Sequence, residues 1–203
     1  GAGMLLTVLS SFGQTFFISV FAPVIQRDLG LSHSECGLSY ALGTMVSAGI
    51  MVWAGGLTDE IRVRTLGRWV LLGLVGACLF MAVNPLAVLV PVVILALRFF
   101  GQGMISHVAM VAMARWFSKS RGRALAIAAL GYSIGEAMLP IVFVAALAFT
   151  PWRWLWVVAA LIVLLAIPLL GRLLREERTP QSIAEESSSV GLDNRHWSRP
   201  EVI

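Results

Sequence analysis

Charge is scarce in this chain. Asp, Glu, Lys and Arg make up 13 % of its 203 residues, about half the share of an ordinary soluble domain. With 58 % hydrophobic residues and a mean hydropathy of +0.85, a single soluble helical domain is excluded as the reading. Cysteine is nearly absent. Cys36 and Cys78 sit in or beside apolar stretches, with neither metal-ligand spacing nor a disulfide framework, so they read as small packing residues. There is no phosphate-cradling glycine loop, no nucleophile–base pair and no metal-ligand cluster. The chain is therefore expected not to be an enzyme and to carry no cofactor or metal. The alternation of apolar and polar residues that a membrane barrel needs is missing too. So is a basic segment ahead of the first apolar run, which is also too long for a cleaved signal peptide.

What is present is six long apolar stretches, at 4–24, 36–56, 69–86, 89–113, 124–147 and 153–171. A bilayer core of roughly 30 Å takes about 20 apolar residues of helix, and lipid admits only helices or closed barrels. The sequence predicts an all-α membrane protein, a six-transmembrane-helix bundle over residues 4–171. The connections are short, so successive helices run antiparallel. Residues 172–203 change character: Arg172, Arg175, Glu176, Glu177 and Arg178 lead the last helix into water. A flexible Ser-, Glu- and Pro-bearing linker follows over 179–191. The tail is expected to be cytoplasmic and to stop short of a seventh span.

The net charge of +4 is a topology signal and not a nucleic-acid footprint. Of the fifteen basic residues, twelve fall on one side: Arg62, Arg64 and Arg68; Arg115, Lys119, Arg121 and Arg123; Arg172, Arg175, Arg178, Arg195 and Arg199. The opposite loops hold Arg27 and Arg153, and Arg98 lies inside a span. By the positive-inside rule the basic loops, the tail and the N-terminus are expected in the cytoplasm, in a bacterial inner membrane.

Two loops are the best-marked segments. The first runs from Gly55-Gly56-Leu57-Thr58-Asp59-Glu60 to Arg64, and the second from Trp116-Phe117 to Arg121-Gly122-Arg123-Ala124. Glycines at a span end allow close helix approach, and Asp59 beside arginines can hold one conformation of a bundle and release another. Plain topology signalling by solvated charges explains the same residues.

Six spans with Gly-x-Leu-x-Asp and arginines after the second resemble the N-terminal half of the major facilitator superfamily (MFS). The family pattern there is Gly-x-Leu-Ala-Asp-Arg-x-Gly-Arg-Lys/Arg. Gly55, Leu57, Asp59 and Arg64 match it; Thr58, Glu60, Arg62 and Val63 depart from it. Arg98-Phe99-Phe100-Gly101-Gln102-Gly103 looks like the fourth-span motif Arg-x-x-x-Gly-x-Gly, shortened by one residue. The segment Trp116 to Ala126 looks like the approach to the fifth span. Phe12 to Phe17 and Gly131-x-x-x-Gly135-x-x-x-x-Pro140 look most similar to bacterial monocarboxylate-porter-like permeases. The resemblance spans about residues 5–172. It implies half of a twelve-helix transporter with its solute site between two six-helix halves. The expected partners are a small solute, a proton, the bilayer, and a C-terminal six-helix half in cis or as a partner subunit, with no nucleic acid. The chain then reads as a fragment. A structural or regulatory membrane subunit packed against a partner half is the competing class.

Arg98 is the sharpest candidate. It lies about 14 Å into its span at 1.5 Å per residue, where a charge costs at least about 2.5 kcal/mol. It is expected to face a cavity and hold an anionic group, or to form an ion pair inside the bundle. Glu136, at a similar depth in the fifth span, is its candidate partner or a proton carrier, with Tyr132 one turn away as a cap. Gln14 and Thr15 in the first span are expected to hydrogen-bond solute or Arg98, and Gln102 to bind solute; helix–helix hydrogen bonding serves Gln14 and Thr15 equally well. Gly55, Asp59, Arg64, Arg121 and Arg123 are assigned to conformational gating. His107, nine residues from Arg98 and so two and a half helical turns away, is expected on the opposite face as a packed, hydrogen-bonded histidine. Ala128, Gly131 and Gly135 share one helix face suited to close contact, and Pro140 and Pro168 are expected to bend their helices.

Overall fold

In the computed structural model of the chain, residues 2–117 and 120–173 are described. Every regular element among them is helical. Six helices are long and apolar enough to cross a membrane: α1 Ala2–Leu29, α2 His33–Glu60, α3 Val63–Val83, α4 Ala87–Trp116, α5 Arg121–Leu147 and α6 Trp152–Leu173. They extend past most of the expected apolar runs because backbone groups still need partners where lipid gives way to headgroups. Lys119 and the tail from 174 on lie outside the described residues.

The turns follow from local chemistry. Gly30 closes α1 in the left-handed region (φ 67°), which a residue without Cβ adopts freely. Ser32 then opens α2 with a capping box: its hydroxyl accepts from the Glu35 N–H at 3.2 Å, and the Glu35 carboxylate accepts from the Ser32 N–H at 2.8 Å. α3 stops at Asn84 because Pro85 disfavours a helical residue before it. The Asn84 side chain bonds Leu86 N and O, both at 3.1 Å. α5 and α6 run uninterrupted through Pro140 and Pro168.

Three helices are irregular inside the bundle. α1 passes through a 3-10 turn at Ser11–Gly13 and an extended Gln14 (ψ 157°) before resuming at Thr15. α2 breaks at Gly55 and Gly56 ahead of a short turn, Leu57–Glu60. α4 is wound as a π-helix over Arg98–Ile105.

α1 is the central element. It packs on α5 through small residues: Thr7 donates to the Ala128 carbonyl at 2.6 Å, and Gly131 and Gly135 lie directly against the Thr7 and Ser11 hydroxyls. The expected face of Ala128, Gly131 and Gly135 is thus the one that meets α1. Beyond it, Phe12, Phe17, Phe21, Phe143 and Trp156 form an aromatic cluster, edge to face except for the tilted Phe21–Trp156 pair; Phe17 sits 4.9 Å from Phe143 and 5.3 Å from Trp156. Cys78 is fully buried in the core. At the end where α1 meets α2, Arg153 ties three helices together. It donates to the Ala82 and Asn84 carbonyls at 3.2 and 2.7 Å and to Asp28 at 2.8 Å.

Burial is uneven. In the apolar windows of α2 and α5 only 22 % of residues are buried, against 44–50 % in the other four helices. Both carry large exposed apolar side chains, among them Met45, Val52 and Trp53 on α2, and Leu130, Met138 and Ile141 on α5.

α1 and α4 cross backbone to backbone at Gly13 and Gly101. A methyl group on Gly101 would stand 2.6 Å from the Gly13 Cα and 2.8 Å from its nitrogen. Neither obstacle is a side chain that can rotate away. Gly101→Ala is expected to lower the unfolding free energy by about 1–3 kcal/mol. Gly76→Ala, where a Cβ meets nothing within 4 Å, should leave it unchanged or raised. Thermal melts of the two purified variants check this.

Candidate functional site

The crossing of α1 and α4 sets the site. Immediately after Gly13, the extended Gln14 swings the next turn of α1 so that Thr15 meets Arg98: the guanidinium Nη1 donates to the Thr15 hydroxyl at 3.1 Å. Thr15 also shares a 2.6 Å hydrogen bond with the Tyr40 hydroxyl of α2. The Arg98 guanidinium stands 5.4 Å from the Tyr40 ring centroid, a cation–π distance. Arg98 is only 8 % exposed. Among the described residues no carboxylate pairs with it; the ion pairs there are Arg115–Asp59 and Arg153–Asp28.

Two cavities lie along α2, on either side of this Arg98–Thr15–Tyr40 bar. One, of about 300 Å³, lies towards the Arg153 end and is mostly apolar, with Ile18, Ile25 and Met81 beside Thr15, Tyr40 and Cys36. The other, of about 430 Å³, lies towards the arginine-rich end and is lined by Thr44, Ser47, Met51, Arg98, Gln102 and Gly103 among others. α2 reaches α4 closely because Gly43 packs on its backbone, where a Cβ would stand 2.7 Å from the Pro91 carbonyl.

The arginine-rich end holds a second constellation, where the break in α2 is pinned to α4. The His107 Nε2 lies 3.1 Å from the Gly55 carbonyl and 3.3 Å from the Thr58 hydroxyl. Two turns further along α4, Arg115 donates to the Thr58 carbonyl at 2.7 Å and to Asp59 at 2.6 Å. Arg121 donates to the Ala114 carbonyl at 3.3 Å, satisfying an orphan carbonyl at the end of α4. Arg123 lines a shallow pocket with Met113 and Phe117.

Set against the expectations, the structure brings Arg98 and Thr15 together and puts Gln102 on the same cavity. Gln14 is half-buried at the break in α1. The expected Arg98–Glu136 pair is not formed. Gly131 and Gly135 turn one face of α5 onto α1, and Glu136, about 100° further round the helix, is left exposed. Among the described residues no ion pair or hydrogen bond reaches it, so the half-buried Tyr132 does not cap it. Asp59 takes Arg115 as its base, not Arg64, which has an interaction of its own. The α2 break points the Asp59 carboxylate at the end of α4.

His107 is hydrogen-bonded, but it does not face away from Arg98. Both residues look onto α2, Arg98 at Tyr40 and His107 at Gly55 and Thr58. Nine residues make two and a half turns at 3.6 per turn. The i→i+5 winding between Arg98 and Ile105 puts more residues in each turn, which brings the nine closer to two full turns.

Sequence reasoning missed Tyr40 and Arg115. Tyr40 carried a usable signal: with Thr44, Ser47 and Met51 it forms an i, i+4, i+7, i+11 stripe on α2 whose first three members carry hydroxyls in an apolar span. Arg115 had been counted only as one of the loop charges.

The two bonds of Arg115 differ in exposure. Asp59 is 75 % exposed at its side chain, so the ion pair contributes at most about 1 kcal/mol, while the bond to the Thr58 carbonyl survives loss of the carboxylate. Arg115→Ala is therefore expected to destabilise more than Asp59→Asn, by about 1 kcal/mol. Thermal melts of both variants and of the double variant measure it; equal losses would reduce the contact to its ion pair.

Comparison with known proteins adds one assignment. A family profile described as Major Facilitator Superfamily matches residues 3–201. No curated protein matches the chain.

Proposed function

The chain belongs to the Major Facilitator Superfamily, a family of multi-pass membrane transporters, and on that premise we propose that it takes part in carrying a small organic anion by alternating access. The observation that supports the anion is Arg98. A guanidinium that is 8 % exposed, at mid-span, without a carboxylate among the described residues, has only a hydroxyl and an aromatic face to offset its charge. A mid-membrane cation costs several kcal/mol without a counter-charge, and a solute anion supplies one. The planar fork of guanidinium donors suits a carboxylate, with Gln14, Thr15 and Gln102 around it. The finer likeness to monocarboxylate porters rests on the motifs of α1 and α5 alone.

Glu136 is assigned the proton-linked role. Its exposed position on α5 turns it towards whatever covers that helix, and ionisable residues within spans serve proton relays. Tyr132, one turn away, would then cap it. The under-buried faces of α2 and α5 suit a second six-helix half, in cis or as a partner subunit, rocking against this one with the solute between them. The same exposed faces fit a subunit that packs against a transporting partner, a reading that co-purification of a second six-span chain would favour. By the positive-inside rule the arginine-rich end is cytoplasmic, in an inner membrane. The pinned α2 break, with Gly55, Asp59, Arg64, Arg115, Arg121 and Arg123, would hold that side closed. The protein is not proposed to be an enzyme.

Uptake of labelled carboxylates into proteoliposomes, with the protein as its gene encodes it, tests the reading. Arg98→Gln is expected to reduce uptake roughly 30-fold or more, and Arg98→Lys to restore only part, since a point charge lacks the fork. Undiminished anion uptake by Arg98→Gln would remove the proposed site. Glu136→Gln is expected to abolish accumulation driven by a pH gradient while sparing solute exchange; normal accumulation in that variant would end the proton role.

A further inference from the structure

Arg98 does not use all of its donors. Its Nη1 is taken by Thr15 and its face by Tyr40, but its Nε is buried with no hydrogen-bond partner. The Thr44 hydroxyl is likewise buried and unpartnered. Both residues line the same cavity of about 430 Å³, with Ser47 and Gln102. Thr44 stands one helical turn from Tyr40, on the face of α2 that meets the guanidinium. A threonine inside a helix ordinarily turns its hydroxyl back to a carbonyl of the preceding turn, as Thr58 does to Gly55 at 2.9 Å. Thr44 does not.

A buried donor left without an acceptor loses its hydrogen bonds to water and gains none in return. Both atoms belong to residues that line one cavity, one of them a cation, and neither has its acceptor. We infer that Thr44 and the Arg98 Nε form a paired donor site for one oxyanion, a carboxylate or a phosphate oxygen, in the cavity between α2 and α4, making Thr44 a solute-binding residue. The inference rests on the proposed role of Arg98 and adds the second donor and the side of approach: the anion arrives from the α2 cavity, opposite the Thr15 contact. Gln102, one turn along α4 from Arg98, stands at the same cavity to bond the rest of the solute. Ser47, 5 % exposed, limits its depth.

The test is thermal melting of the detergent-purified protein, titrated with the sodium salts of acetate, lactate, benzoate and phosphate, for wild type, Thr44→Val, Thr44→Ser and Arg98→Gln. At least one of these anions is expected to raise the wild-type melting temperature saturably. Thr44→Val, which replaces an unpartnered hydroxyl by a methyl of the same shape, should raise the salt-free melting temperature and weaken that anion about tenfold or more. Thr44→Ser should bind as wild type does. Should the valine variant not fold, Thr44→Ala must show the same weakening. An anion response lost in Arg98→Gln but intact in Thr44→Val and Thr44→Ala would overturn the Thr44 site and leave the role of Arg98 standing. A response intact in Arg98→Gln would overturn both. So would a wild type indifferent to all four salts. Carboxylate and phosphate sources separate by which salts act.

Discussion

Two glycines without side chains, Gly13 on α1 and Gly101 on α4, let two helix backbones touch in the middle of the bundle, and the rest of the interior is arranged around that contact. Both helices leave regular α geometry there. α1 tightens into a 3-10 turn and then extends at Gln14, while α4 widens into a π-helix from Arg98 to Ile105. Irregular backbone at membrane depth is tolerated where it is enclosed by protein or lines a cavity, and here it does both. The result is a guanidinium held between a hydroxyl and a tyrosine ring, on a residue that lines a polar cavity.

The same π-helical stretch links the two constellations of the molecule. It stands between Arg98 at mid-depth and His107 near the arginine-rich end, and its wider winding turns both onto α2. α2 is therefore gripped at successive levels by one helix: at Tyr40 by Arg98, at Gly43 by backbone packing, at Gly55 and Thr58 by His107, and at Asp59 by Arg115. Rewinding α4 to a regular helix would rotate one of these grips relative to the other. Thr58 has a special part in this arrangement. It stands where the family pattern has alanine, and its hydroxyl lies within hydrogen-bond distance of His107.

Much of the architecture was legible before any coordinates. Six spans were placed because apolar length against bilayer thickness is a local quantity, and the contact face of Ala128, Gly131 and Gly135 because small residues repeat on one side of a helix. The burial of Arg98 was legible as a charge in an apolar run, and its contact with Thr15 as a hydroxyl in the first span. Helix phase was harder to read. The sequence around Arg98 shows no sign of π winding, so His107 was set on the wrong face. Depth makes Glu136 a candidate partner for Arg98 but says nothing of direction: the Gly131 and Gly135 face binds α5 to α1 and leaves Glu136 outside. Arg64 was the nearer base to Asp59 along the chain, and Arg115 was nearer in space.

The sequence by itself determined the solvent, the number of helices and which residues are costly to bury, because each depends on a run of neighbours and the bilayer around them. Only the tertiary structure decided which of the costly residues meet. That depends on how far each helix is wound at the point where it touches another. Here the winding is set by a contact between Gly13 and Gly101, residues far apart in the chain that carry no side chain to announce it.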